Sequence, residues 1–206
     1  MHLRRVLGTA LLLASACRDW RSGVEPALAA GDPEQVLVEG ESSIVKEAKG
    51  HRIIFTPRAT YRITGYAADL SRELLDEWDF AMPMDLALVF GPVADPAVLQ
   101  HLSFHLSGRY LSYWYDAKTP AAIRGALPSH IANNHLIPAD DEVGQALGRV
   151  RVGDLVTLTG RLVDVEIRDA GARIVFKGRT SLSRTDVGSG ACEILYVETV
   201  DLHDRD

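Results

Sequence analysis

The stretch 155–167 limits the fold more than any other. Its apolar residues fall first on even positions (Val156, Leu158, Leu162) and then on odd ones (Val163, Val165, Ile167). Alternation with period two marks a strand with one buried face, whereas a helix would space such residues three to four apart. The change of phase beside Gly160 predicts a β-bulge or a sharp bend. Asp169-Ala170-Gly171-Ala172 supplies a hairpin turn, Ile174, Phe176 and Gly178 alternate on a returning strand, and 194–200 makes a last one. A long bent strand entering a hairpin resembles the opening of an OB-like small barrel, and the C-terminal half is expected to take that form.

Strand-like runs also fill the region before it. Val36-Leu37-Val38 opens, Ile53-Ile54-Phe55-Thr56 leads to Pro57, and 60–66 alternates Tyr61, Ile63 and Gly65 against Thr60, Arg62 and Thr64. The apolar run Leu86-Ala87-Leu88-Val89-Phe90 reads as a central strand. Helices are expected to be short: one from Ser71 to Trp78, one opening at Asp95-Pro96, and one starting at Asp140 with Val143, Leu147 and Val150 on a single face. The fold class is mainly β with a few short helices, that is, α+β. A single β-rich domain over 36–206 is expected, with sub-lobes at 36–127 and 128–206.

The N-terminus carries an address. Arg4 and Arg5 precede an apolar stretch, and Ala14-Ser15-Ala16 supplies small residues, the layout of a secretory signal peptide over 1–16. Leu13-Ala14-Ser15-Ala16-Cys17 also resembles a bacterial lipoprotein box, which would lipidate Cys17 and tie the chain to a membrane. Free secretion would instead permit a Cys17–Cys192 disulfide. Residues 17–35, broken by Gly23, Pro26, Gly31 and Pro33, read as a tether. The expected location is the bacterial periplasm, either free or anchored as a lipoprotein.

Net charge sharpens the choice of partner. The chain carries −6, and removal of 1–16 takes away Arg4 and Arg5 to leave −8. Nucleic-acid binding needs a positive surface, so no nucleic-acid partner is expected, although Lys177 and Arg179 share a strand face. Two cysteines exclude an all-cysteine zinc site and a disulfide-dense scaffold.

Three clusters could carry chemistry. His101 and His105 lie on the polar side of an alternating run, so four residues of strand hold them about 13 Å apart and one ion cannot take both. Pro128 and Pro138 bracket what reads as a polar loop, in which His130 and His135 could ligate a metal or Asn133 could steer His135 as a general base. In 181–193, Cys192 would be a nucleophile if His135 and Asp186 converged on it. Otherwise Cys192 is a small buried hydrophobe, and Arg184 and Asp186 tie the segment down.

The blocks Asp85-Leu86-Ala87-Leu88, Ala132-Asn133-Asn134-His135-Leu136-Ile137-Pro138-Ala139 and Ser181-Leu182-Ser183-Arg184-Thr185-Asp186 with Gly190-Ala191-Cys192-Glu193 resemble those of a bacterial exported-protein family with no assigned activity. The resemblance spans 60–200 and implies a bacterial source and a shared fold. This chain departs from the pattern at Asn134, where a hydrophobic residue is expected.

No complete set of nucleophile, base and stabiliser is readable along the chain. The leading expectation is therefore a non-catalytic envelope module, binding or accessory, that binds a partner such as an envelope protein or assists an assembly, without a cofactor. The alternative is an envelope hydrolase using Cys192 with His135, or a metal-dependent enzyme using His130 and His135.

Overall fold

A computed structural model describes residues 26–72, 77–186 and 190–203. In chain order the strands are β1 (Glu34–Leu37), β2 (Ile44–Ala48), β3 (His51–Ser71), β4 (Met84–Val89), β5 (Leu102–Ser107), β6 (Tyr110–Tyr115), β7 (Ile131–Pro138), β8 (Leu155–Arg168), β9 (Ile174–Gly178) and β10 (Glu193–His203). The helices are α1 (Pro96–Leu99), α2 (Ala121–Ala126) and α3 (Asp141–Arg149). The protein is mainly β with short helices. The signal peptide, Cys17 and the first part of the tether, to residue 25, lie outside the described residues, as do residues 73–76 of the helix expected from Ser71; Ser71 itself ends β3.

Two long strands organise the large sheet. β3 pairs with β8 from Arg52↔Arg168 to Tyr66↔Leu155. Along its other edge β3 takes β2, β1 and then β4 in succession. From β4 the pairing passes to β7, then in parallel to β10, and through β10 back to β8. The five strands β3-β4-β7-β10-β8 thus make a closed circuit of pairings. The circuit takes β3 and β4 from before residue 128 and β7, β8 and β10 from after it, so it is not confined to the C-terminal half, and 155–168 is its fourth strand in sequence.

The phase change in β8 has a specific cause. Val156, Leu158 and Leu162 join one core with Tyr61, Ile63, Leu86 and Leu195, whereas Val163, Val165 and Ile167 join another with Ile53, Phe55 and Met82. The side that is buried switches midway along the strand. The bulge itself lies in β3, where the register slips between Pro57 and Ala59 opposite Val163 and Leu162. Pro57 therefore does not end a strand: it sits at the irregularity, where a missing N–H is tolerated.

The first core is closed by Val143, Leu147 and Val150 from α3 and its end. Asp140 caps α3, its Oδ1 accepting from the Val143 N–H at 2.9 Å, with Asp141 and Glu142 in the first turn and Arg149 in the last. Asp140→Ala should lower the unfolding free energy by about 1 kcal/mol, read from urea melts. A third core, with Tyr66, Val89 and Phe104, lies under the β5–β6 hairpin. That hairpin turns on Gly108 (φ 55°) and Arg109 (φ 67°), both left-handed as a two-residue type I′ turn requires. A non-glycine residue held there is unusual, and its side chain accounts for it below.

The segment 128–138 is not the loop expected from its polar residues. β7 is a strand buried on both sides, paired with β4 and β10. Asn134 faces the first core, where its Nδ2 donates to the Leu86 carbonyl at 3.1 Å. Asn133 and His135 face the opposite side.

A candidate thiol active site

Strand register builds the site. Asp85 lies directly opposite His135, and His135 directly opposite Ile194, so the outer faces of β4, β7 and the start of β10 meet. Asp85 is fully buried in a strand whose other residues are all apolar. Its Oδ1 accepts from His135 Nδ1 at 2.8 Å and from Arg109 at 3.1 Å, and Arg109 also donates to the Met82 carbonyl at 3.1 Å. The positive-φ turn of the β5–β6 hairpin is what delivers that guanidinium. Asp85 Oδ2 is buried with no hydrogen-bond partner among the described residues.

Because a carboxylate can only accept, the bond fixes the proton of a neutral His135 on Nδ1 and leaves Nε2 for its other neighbour. That neighbour is Cys192, a free cysteine that lines the same cavity and draws the imidazole toward its charged form. Burial disfavours the charged ring, but hydrogen bonds to Asp85 and Cys192 and the attraction of both groups outweigh it, raising the His135 pKa to about 9. Asn133 Nδ2 donates to Cys192 Sγ at 3.3 Å and to the Arg109 carbonyl at 3.0 Å. The second bond fixes the orientation of the amide, since the reverse would set two oxygens together.

The sequence-level candidates separate accordingly. Cys192, His135 and Asn133 come together. Asp186 does not join them: it accepts from Ser181 Oγ at 2.7 Å, within the segment 181–186. Asp85, rather than Asp186, is bonded to His135. The metal pairing of His130 with His135 is also corrected. Five residues of extended chain separate them by about 16 Å, and His130 packs on Phe90 with its Nδ1 2.9 Å from the Ala126 carbonyl. Among the described residues no group of three or more His, Cys, Asp or Glu side chains could hold a metal.

Asp85 and Arg109 escaped the sequence reading as site residues. A single acid heading an otherwise apolar strand was the available signal for Asp85. Nothing in the sequence marked Arg109, whose contact depends on how a hairpin folds over β4.

Arg184 and Glu193 hold the thiol-bearing segment from the other side of the sheet. Glu193 is buried and pairs with Arg184, whose guanidinium lies over the Tyr61 ring. Burial raises the Tyr61 phenol to about 12, against the opposing pull of Arg184. The Ser181 N–H also donates to the Cys192 carbonyl at 3.0 Å.

A cavity of about 540 Å³ opens beside the thiol, lined by His135 and Cys192 and by Trp78, Met82, Phe176 and Ile194. No protein-family model, no curated protein and no solved structure matches the chain.

Proposed function

We propose that the protein is a thiol-dependent acyl hydrolase, with Cys192 as nucleophile, His135 as acid–base and Asp85 as the group that orients the imidazole. The observation that carries this reading is the 2.8 Å bond from Asp85 to His135 in a cavity that His135 and Cys192 both line, with Asn133 Nδ2 on the sulfur. Nucleophile, base and orienter within reach of one another are the signature of covalent catalysis. The reading takes up the hydrolase alternative of the sequence in place of the non-catalytic module.

The chemistry balances without a further reactant. The Cys192 proton passes to His135, and the thiolate attacks the carbonyl carbon of an ester or thioester. A C–S bond forms, the bond to the leaving group breaks, and the imidazolium protonates that group. Water then gives a proton to His135 and attacks the acyl-enzyme. The C–S bond breaks, the carboxylic acid departs and the thiol is restored. Asn133 Nδ2, 3.3 Å from Sγ, supports the negative charge that develops there as the sulfur attacks.

Iodoacetamide labelling with peptide mapping, together with turnover of an ester and thioester panel, tests the reading. In the native chain Cys192 should label rapidly at pH 7. His135→Ala should slow that labelling at least tenfold, and Cys192→Ala should abolish turnover. A thiol that labels only after unfolding, with no turnover, would overturn it.

With the leader removed after Ala16, we place this enzyme in the cell envelope, free or held by a lipid on Cys17. Intact mass of protein recovered from host membranes should show a chain beginning at Cys17 with added acyl mass. A chain still beginning at Met1 would remove this location and leave the chemistry untouched.

A further inference from the structure

The cavity beside Cys192 also carries information about what is bound. Met82 and Ile194 belong to the core shared by β3, β8 and β10, and the partly buried Trp78 and Phe176 pack against it. The slot is therefore a gap in a hydrophobic core that happens to open onto the thiol. Its volume of about 540 Å³ suits a small organic group, since such sites span roughly 300–1,000 Å³. The Trp78 and Phe176 rings are 5.1 Å apart, and Trp78 packs further on Phe80 and His51, so the aromatic side is held in place.

The cationic groups nearest the thiol, His135 and Arg109, are both turned to Asp85. Arg109 is committed to Asp85 and to the Met82 carbonyl. Glu77 and Arg179 are exposed and of opposite sign. A neutral hydrocarbon is what such a slot desolvates without cost, and each methylene it removes from water contributes about 0.8 kcal/mol. Three glycines, Gly108, Gly178 and Gly190, complete the lining and leave room for a chain to pass. At Gly178 an added Cβ would already lie 3.1 Å from Ile194 Cδ1 and from the Phe176 ring.

We propose that this slot receives the hydrocarbon chain of the acyl group whose carbonyl is presented to Cys192, so that medium-chain acyl esters and thioesters are the substrate class. The inference rests on the thiol hydrolase reading for its chemistry, but chain binding can be measured without catalysis.

Two experiments on the full chain separate the two ideas. In the first, octanoate is titrated against the Cys192→Ala variant while tryptophan fluorescence is followed. A saturable change is expected, absent with acetate and absent when Trp78→Phe is added. In the second, kcat/KM is compared for octanoyl and acetyl esters. The native chain should favour octanoyl at least tenfold, and Gly178→Leu, which fills the slot, should bring the ratio near one. Phe176→Ala, which widens the slot, should weaken the octanoyl preference. Cys192-dependent turnover with no chain preference and no Trp78 signal would sink the slot and spare the hydrolase. A Trp78 signal with octanoate but no turnover of any ester would do the reverse.

Discussion

Asp85→Asn should lower kcat/KM by about 10³- to 10⁴-fold, the loss seen when a triad carboxylate is neutralised without changing its shape. The carboxylate holds the His135 proton on Nδ1, whereas a carboxamide can present its own N–H to that nitrogen and turn the tautomer round. The variant also removes the attraction that keeps the imidazole protonated to about pH 9. Leaving-group protonation needs the imidazolium, so native activity should fall as pH rises through about 9. In the variant that alkaline limb should move down toward the ordinary histidine value of 6.5. Stability follows the same sign. The raised pKa contributes stability that is fully present below 6.5 and lost as pH climbs through about 9. Urea midpoints of the native chain should therefore drop across that window, and those of Asp85→Asn should drop less. A variant within threefold of native activity, with an unchanged pH profile, would remove Asp85 from the mechanism.

Gly160→Ala should leave little folded protein. A Cβ at 160 would stand 2.0 Å from the Tyr196 carbonyl oxygen and 3.1 Å from Val197 Cα, both backbone atoms of β10. On its other edge Gly160 is paired with Tyr61 of β3. β8 is thus held between two strands at this point and can yield only by parting from one of them. The expected loss is about 4 kcal/mol or more, a large share of the stability of an ordinary domain. Gly148→Ala makes the same chemical change in α3, where nothing lies within 4 Å, and should instead stabilise by about 0.5–1 kcal/mol. Soluble yield and urea melts of the pair provide the check, and equal behaviour would refute the argument.

Much of the sheet was legible because its strands bury one side at a time. The alternation of β8, the capped start of α3 at Asp140 and the apolar run of β4 each express a local rule. β7 was not legible, because its two faces go to different places. Asn133 and His135 serve the thiol site and Asn134 faces a core, so polar residues stand where alternation would place apolar ones. Cys192 and His135 could be named from residue type alone. Their partner could not, because Asp85 meets His135 only through pairing between β4 and β7, and Asp186 is nearer in sequence yet held by Ser181. The circuit was misplaced for a related reason: β3 looked like two strands split at Pro57, so its span was hidden.

The pairing of β3 with β8 also bears on the order in which the molecule can assemble. Arg58 and Asp164, bonded at 3.1 Å, stand 106 positions apart, and Cys192 belongs to the segment that enters the final strand. Contacts of such wide sequence separation close slowly, because a long loop must be ordered before any of them is rewarded. During synthesis the first four strands emerge without the partner that completes them. Cys192 can meet His135 only once β10 has docked beside β7, and until then the early strand edges are the hazard for aggregation.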